Sequence, residues 1–188
     1  MPSPGRSAPR DHLLTTASQL FYSEGINSVG VDRVLRQAGV TRATLYRHFA
    51  GKEALVVAYL EREDQMIQAI WSTGLGHAVS ADHALELAIE GVATDAHRHH
   101  TLGCPFIKAA AEFPDPASPV RRVIGEHRAW FRAELRRLLT EARRDDVDAK
   151  AETLAMLRDA LMVGCFLGDP DAIRRTFVRN ARWVAGLR

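Results

Sequence analysis

Cysteine is nearly absent from these 188 residues: Cys104 and Cys165 are the only two, and no Cys-x-x-Cys pair occurs. A disulfide framework and a four-cysteine zinc site are therefore excluded. Long apolar runs are missing too. The longest, about Ala160 to Gly168, falls well short of the roughly 20 residues needed to cross a bilayer. Residues 1–10 are polar and Pro-rich, without the apolar stretch of a secretion signal, so a cytoplasmic protein is expected. No Gly-x-Ser-x-Gly elbow, phosphate-cradling glycine loop or His-Glu-x-x-His occurs, and no nucleophile–base arrangement stands out, which argues against an enzyme. Alternating strand patterns are scarce. No charge sign dominates either, the net being +2.

Most long segments instead repeat apolar residues at three and four positions, with 46% hydrophobic and 26% charged residues, as in an ordinary folded protein. The reading is all-α, with about nine helices. Residues 1–10 read as a disordered arm. Helices are predicted at about 11–23, 31–37, 42–49 and from 52 past 70, then at about 82–99, 106–112, 120–144, 149–167 and 171–187. The segment Phe113-Pro-Asp-Pro-Ala-Ser-Pro119 is the clearest linker. A domain over residues 11–55 is followed by a larger one over 56–188.

The stretch from Val31 to Phe49 carries the most information. Two short helices meet at a turn built on Gly39, with Thr41 suited to cap the second. At about 100° per residue, Leu45 and Phe49 share one face of that second helix, while Ala43 and Arg47 point the opposite way. A guanidinium can hold guanine O6 and N7 together, and an alanine methyl can meet the methyl of thymine. Arg42 reaches in from the N-terminal end. Thr41, Thr44, Tyr46, His48 and Lys52 are placed for phosphates along the groove walls, Lys52 at the N-terminus of the next helix. The outline is that of a helix-turn-helix reader of double-stranded DNA, although a solvated amphipathic face would show much of the same chemistry. Charge agrees with the first alternative: through Leu60, seven basic residues face four acidic ones, and the rest of the chain is slightly negative.

Gly30-Val-Asp-Arg-Val-Leu35, Ala38-Gly-Val-Thr41, Ala43-Thr-Leu-Tyr-Arg-His-Phe49 and Lys52-Glu-Ala-Leu55 closely resemble the N-terminal domain of the TetR family of bacterial transcriptional regulators. The resemblance implies a homodimer, usually a repressor, that binds a palindromic operator and is released by a small-molecule effector. It also implies that Thr41, Arg42, Ala43, Thr44, Tyr46, Arg47, His48 and Lys52 touch DNA. Two positions depart from the pattern. Gly30 stands where many members start the helix with Ser or Thr, and Asp32 stands where some relatives have a basic phosphate contact.

The second half resembles the family's effector-binding and dimerisation domains more loosely, with Gly103-Cys-Pro-Phe-Ile-Lys-Ala-Ala-Ala-Glu-Phe-Pro114 like a pattern in one subgroup. The resemblance places an effector cavity among helices four to eight. Candidate lining residues are Trp71, Leu85, Ile89, Phe106, Phe113, His127, Trp130, Phe131, Met162 and Phe166; ordinary core packing is the alternative for each. His97, His100 and Cys104 have spacing that admits a metal site, and Cys104 beside Lys108 admits thiol sensing. No cofactor is expected. The last two helices carry apolar residues on more than one side, as a homodimer interface would require.

Overall fold

The computed structural model describes residues 7–187, with side chains from Pro9 onward. Among these residues there are nine α-helices and one π-turn, and no strand. The first four helices are α1 (Ser7–Glu24), α2 (Val31–Ala38), α3 (Arg42–His48) and α4 (Lys52–Leu75). Then come α5 (Ala81–Thr94), the π-turn Asp95–His99, α6 (Pro105–Glu112), α7 (Pro119–Glu141), α8 (Val147–Leu167) and α9 (Pro170–Val184). No helix among the described residues is long and apolar enough to cross a membrane.

The chain packs as two compact units. One ends its first segment at Asp64 and takes in Pro105–Ile124; the other comprises Gln65–Cys104 and the described residues from Gly125 onward. In the first unit, Leu13, Ala17, Leu20 and Phe21 line one side of α1, all buried. Leu55, Val56, Tyr59 and Leu60 of α4 are buried in the same unit, with the Phe21 and Tyr59 rings 6.1 Å apart. Helix α1 starts earlier than its apolar pattern. Residues 7–10, expected in the arm, are helical; Pro9 fits the first turn, where the N–H it lacks would have had no helical partner anyway. The remainder of that arm lies outside the described residues.

Helix α2 stops at Gly39, which adopts φ 62°. The Gly39 N–H donates to the Arg36 carbonyl at 3.3 Å and the Val40 N–H to the Leu35 carbonyl at 3.1 Å, a Schellman closure that a side chain at Gly39 would strain. The α1–α2 turn is held from α6. Glu112 accepts the Ile26 N–H at 2.9 Å on one oxygen and the Asn27 N–H on the other, while Lys108 Nζ donates to the Tyr22 carbonyl at 2.6 Å. This explains why Pro105–Ile124 packs with the N-terminal helices.

In the second unit, α5 was expected to run to His99 but ends at Thr94. The next turn widens, so that the His100 N–H reaches the Asp95 carbonyl at 2.9 Å and the buried His100 ring meets the Asp95 carboxylate at 2.8 Å. Helix α7 ends at Glu141 rather than near residue 144, closed by Arg143 at φ 53°. Helix α9 ends at Val184 rather than 187 because Gly186, at φ 68°, closes it with a bond from the Leu187 N–H to the Arg182 carbonyl.

Candidate functional site

Two places combine exposed or cavity-facing chemistry with defined geometry. The first is α3. Its N-terminus is capped by Thr41, whose Oγ1 accepts the Thr44 N–H at 3.2 Å and lies 3.1 Å from Thr44 Oγ1. Leu45 is fully buried and Phe49 nearly so, which fixes the rotation of the helix about its axis. Thr41, Arg42, Ala43, Tyr46 and Arg47 are consequently exposed, and Thr44, His48 and Lys52 half-buried. Arg47 makes no ion pair among the described residues. Arg42 does: Nη2 donates to both oxygens of Asp32 on α2, at 2.7 and 2.9 Å, with both side chains about 60% exposed. The 10-residue separation across the turn gave no sequence signal for this pairing. Lys52 opens α4, where burial pulls its ammonium below its ordinary pKa, opposed by the charge of Glu112.

The second is a cavity of about 140 Å³. It is lined by Ile67, Ile70, Trp71, Gly74 and Leu75 of α4, Leu87, Ala88, Gly91 and Val92 of α5, and Asp95 of the π-turn. His127 and Phe131 of α7 and Arg158 and Met162 of α8 complete it. Trp71 is fixed by its indole N–H, which donates to Glu134 at 2.9 Å, and by edge contact with Phe131 at 5.6 Å.

Of the candidate lining residues, Trp71, His127, Phe131 and Met162 face this cavity. Leu85 and Ile89 line a much smaller void that shares Trp71, Phe131 and Arg158. Trp130 packs against Trp71, His127 and Phe131 without lining the cavity. Phe106 is buried and Phe113 half-buried on or beside α6, and neither lines the cavity; Phe166 is 54% exposed on α8. Aromatic character marks a residue for burial, but not for a particular space between helices. The most consequential residue missed is Arg158, only 8% exposed. Its signal was positional: it interrupts the buried stripe of α8 formed by Leu154, Leu161, Met162 and Cys165.

The metal arrangement does not form. Among the described residues no three metal-ligating side chains converge. His97 Nε2 lies 3.9 Å from Asp171, His100 is engaged by Asp95, and Cys104 Sγ accepts from Arg158 Nη1 at 3.3 Å. Burial would lower the Arg158 guanidinium, but Cys104 and Asp159 hold it above its ordinary pKa. Cys104 itself is 2% exposed.

Residues 13–59 match the model of bacterial regulatory proteins of the tetR family, and residues 84–178 match that of the tetracyclin repressor-like C-terminal domain. The crystal structure of SCO4454, a TetR-family transcriptional regulator from Streptomyces coelicolor, superposes with a TM-score of 0.91. It is 40% identical, over 96% of this chain and 95% of that one. The HTH-type transcriptional repressor NemR of Escherichia coli is 31% identical over 60% of this chain and 57% of its own length. The HTH-type transcriptional regulator Rv1255c of Mycobacterium tuberculosis is 40% identical over 30% of this chain and 28% of its own. The chain thus matches less than two thirds of either of these two relatives. With an all-helical architecture, a capped turn motif at its N-terminal end and both halves matched, this chain belongs to the TetR family.

Proposed function

We propose that this protein is a DNA-binding transcriptional regulator, working as a homodimer on a palindromic operator and released by a small molecule. The observation that carries the reading is the rotation of α3: Leu45 and Phe49 anchor it from behind while Ala43 and Arg47 project outward. In a major groove that face meets base edges, Arg47 as a two-bond donor to guanine and Ala43 against a thymine methyl. Thr41, Thr44, Tyr46, His48 and Lys52 take the phosphates. Arg42 joins them by leaving Asp32, an exposed ion pair that is cheap to exchange.

Dimerisation is supported by α8. Met156, Ala160, Val163 and Leu167 fall four, three and four residues apart, and all are exposed, with Phe166 beside them. Trp183 of α9, at 80% exposure, adds to the apolar surface. Two such helix pairs complete a four-helix interface across a two-fold axis. To read both halves of a palindrome, the reader helices of the dimer must fall one DNA turn apart, about 34–36 Å. Helix α4 gives the effector its leverage. Lys52 opens the same continuous helix that lines the cavity from Ile67 to Leu75, so a ligand that bends or shifts α4 changes the half-site spacing.

Repression is the sign borne by the name of NemR. The test is a gel shift on DNA upstream of the protein's own gene. Binding should survive excess random DNA and weaken steeply with salt. Equal competition by random DNA would make the protein a sequence-indifferent binder and sink the reading. Deleting the gene should raise expression from the bound promoter; a fall would reverse the sign to activation.

A further inference from the structure

Arg158 stands where a charge is costly. It lies on the buried side of α8, and a guanidinium withdrawn from water needs full pairing. Its pairing is incomplete. Both of its hydrogen bonds among the described residues use Nη1, to Asp159 at 3.2 Å and to Cys104 Sγ at 3.3 Å. Asp159 is shared, its other oxygen accepting Arg128 Nη2 at 2.7 Å. Two guanidiniums thus divide one carboxylate, and the other acceptor of Arg158 is the Cys104 sulfur. The Nε and Nη2 donors of Arg158 have no acceptor among the described residues, and the side chain lines both the main cavity and a narrower crevice with His127, Arg128, Arg132 and Asp159. The one carboxylate on the cavity wall, Asp95, is occupied by the buried His100 ring.

Apart from His127, the remaining wall is apolar and aromatic, and about 140 Å³ is room for one ring; a cavity of roughly 150 Å³ takes benzene. We propose that the effector is a small organic carboxylate with a single-ring or short branched apolar body. The Nε and Nη2 donors of Arg158 hold its carboxylate as a fork, and Trp71 and Phe131 flank the body. A monoanion fits the one open edge of the guanidinium; a phosphate monoester would bring two charges and more volume. An organic cation would share the space with the guanidinium. This inference rests on reading the cavity as the effector site.

The test is calorimetry and thermal shift on the intact protein with benzoate, benzamide and benzyltrimethylammonium as probes. Benzoate should bind and raise Tm, benzamide should bind at least about tenfold more weakly, and the cation should not bind. Arg158→Gln should lower benzoate affinity about 10- to 100-fold while changing benzamide little. Should that variant fail to fold, the benzoate-to-benzamide ratio of the unaltered protein decides alone. Gly91→Phe, at a helical position on the cavity wall where a Cβ meets nothing within 4 Å, should block benzoate. Benzamide binding as tightly as benzoate, or the cation binding better, overturns the carboxylate assignment and leaves the cavity reading standing. Benzoate bound undiminished by Gly91→Phe, or no probe bound at millimolar concentration, overturns the proposal. The gel shift tests DNA binding separately and is untouched by either result.

Discussion

Asp32 and Asp159 show at the residue scale how one carboxylate can serve opposite ends. Asp32 holds Arg42 on the surface proposed to face DNA, so Asp32→Asn both frees the arginine and removes a negative charge from that surface. The variant should bind all DNA sequences more tightly, with a salt slope steeper by about one; weaker binding would show that the pair orders α3. Asp159 instead joins Arg128 and Arg158. Burial raises its pKa, but the two arginines hold the carboxyl below the ordinary range. A depressed carboxylate stabilises the fold above its unfolded pKa, about 3.9, and loses that contribution as pH falls toward the folded value. Thermal melts should show the unaltered protein losing stability below about pH 4. Asp159→Asn should start about 1–3 kcal/mol lower and lose less on acidification; parallel pH curves would contradict the assignment. The outward aim of Arg47 was legible in the sequence, since turning through 100° per residue opposes it to Leu45 and Phe49. The Arg42–Asp32 and Arg158–Cys104 contacts were not, because residues 10 and 54 positions apart share no period.

Helices were more legible than their ends. Apolar spacing located all nine, since 3.6-residue periodicity is a long, averaged signal. Ends depend on single residues: Gly39 announces a stop, whereas the expected last helix ran on through Gly186, and Arg143 in a left-handed conformation closes α7 only in the folded chain. The π-turn after α5 was illegible for the same reason, its cause being the contact of Asp95 with His100. Helix α6 looked like a short segment before a linker, yet through Glu112 it closes the turn from which α2 departs. Glu112→Gln leaves one of the two N–H groups without a good acceptor. It should cost about 1–2 kcal/mol in denaturant unfolding and weaken operator binding, because α2 supports the reader helix. Unchanged stability would mean that water satisfies Ile26 and Asn27 equally well.

For the molecule as a whole, exposed apolar residues on α8 and α9 and an outward-facing α3 are separate features that one dimer would unite. Val163→Glu combined with Trp183→Glu puts charges into the proposed interface without touching the buried core. Sedimentation should then find monomers, and binding to a palindrome should fall toward that of a single half-site; a dimer that persists would place the interface elsewhere. The most direct measurement compares Arg47→Ala with Lys52→Ala in a titration on operator and scrambled DNA. On this account Arg47→Ala loses about 1–3 kcal/mol on the operator and little on scrambled DNA, while Lys52→Ala loses the same on both. Equal losses on both DNAs from Arg47→Ala would contradict the claim that the outward face of α3 reads base sequence.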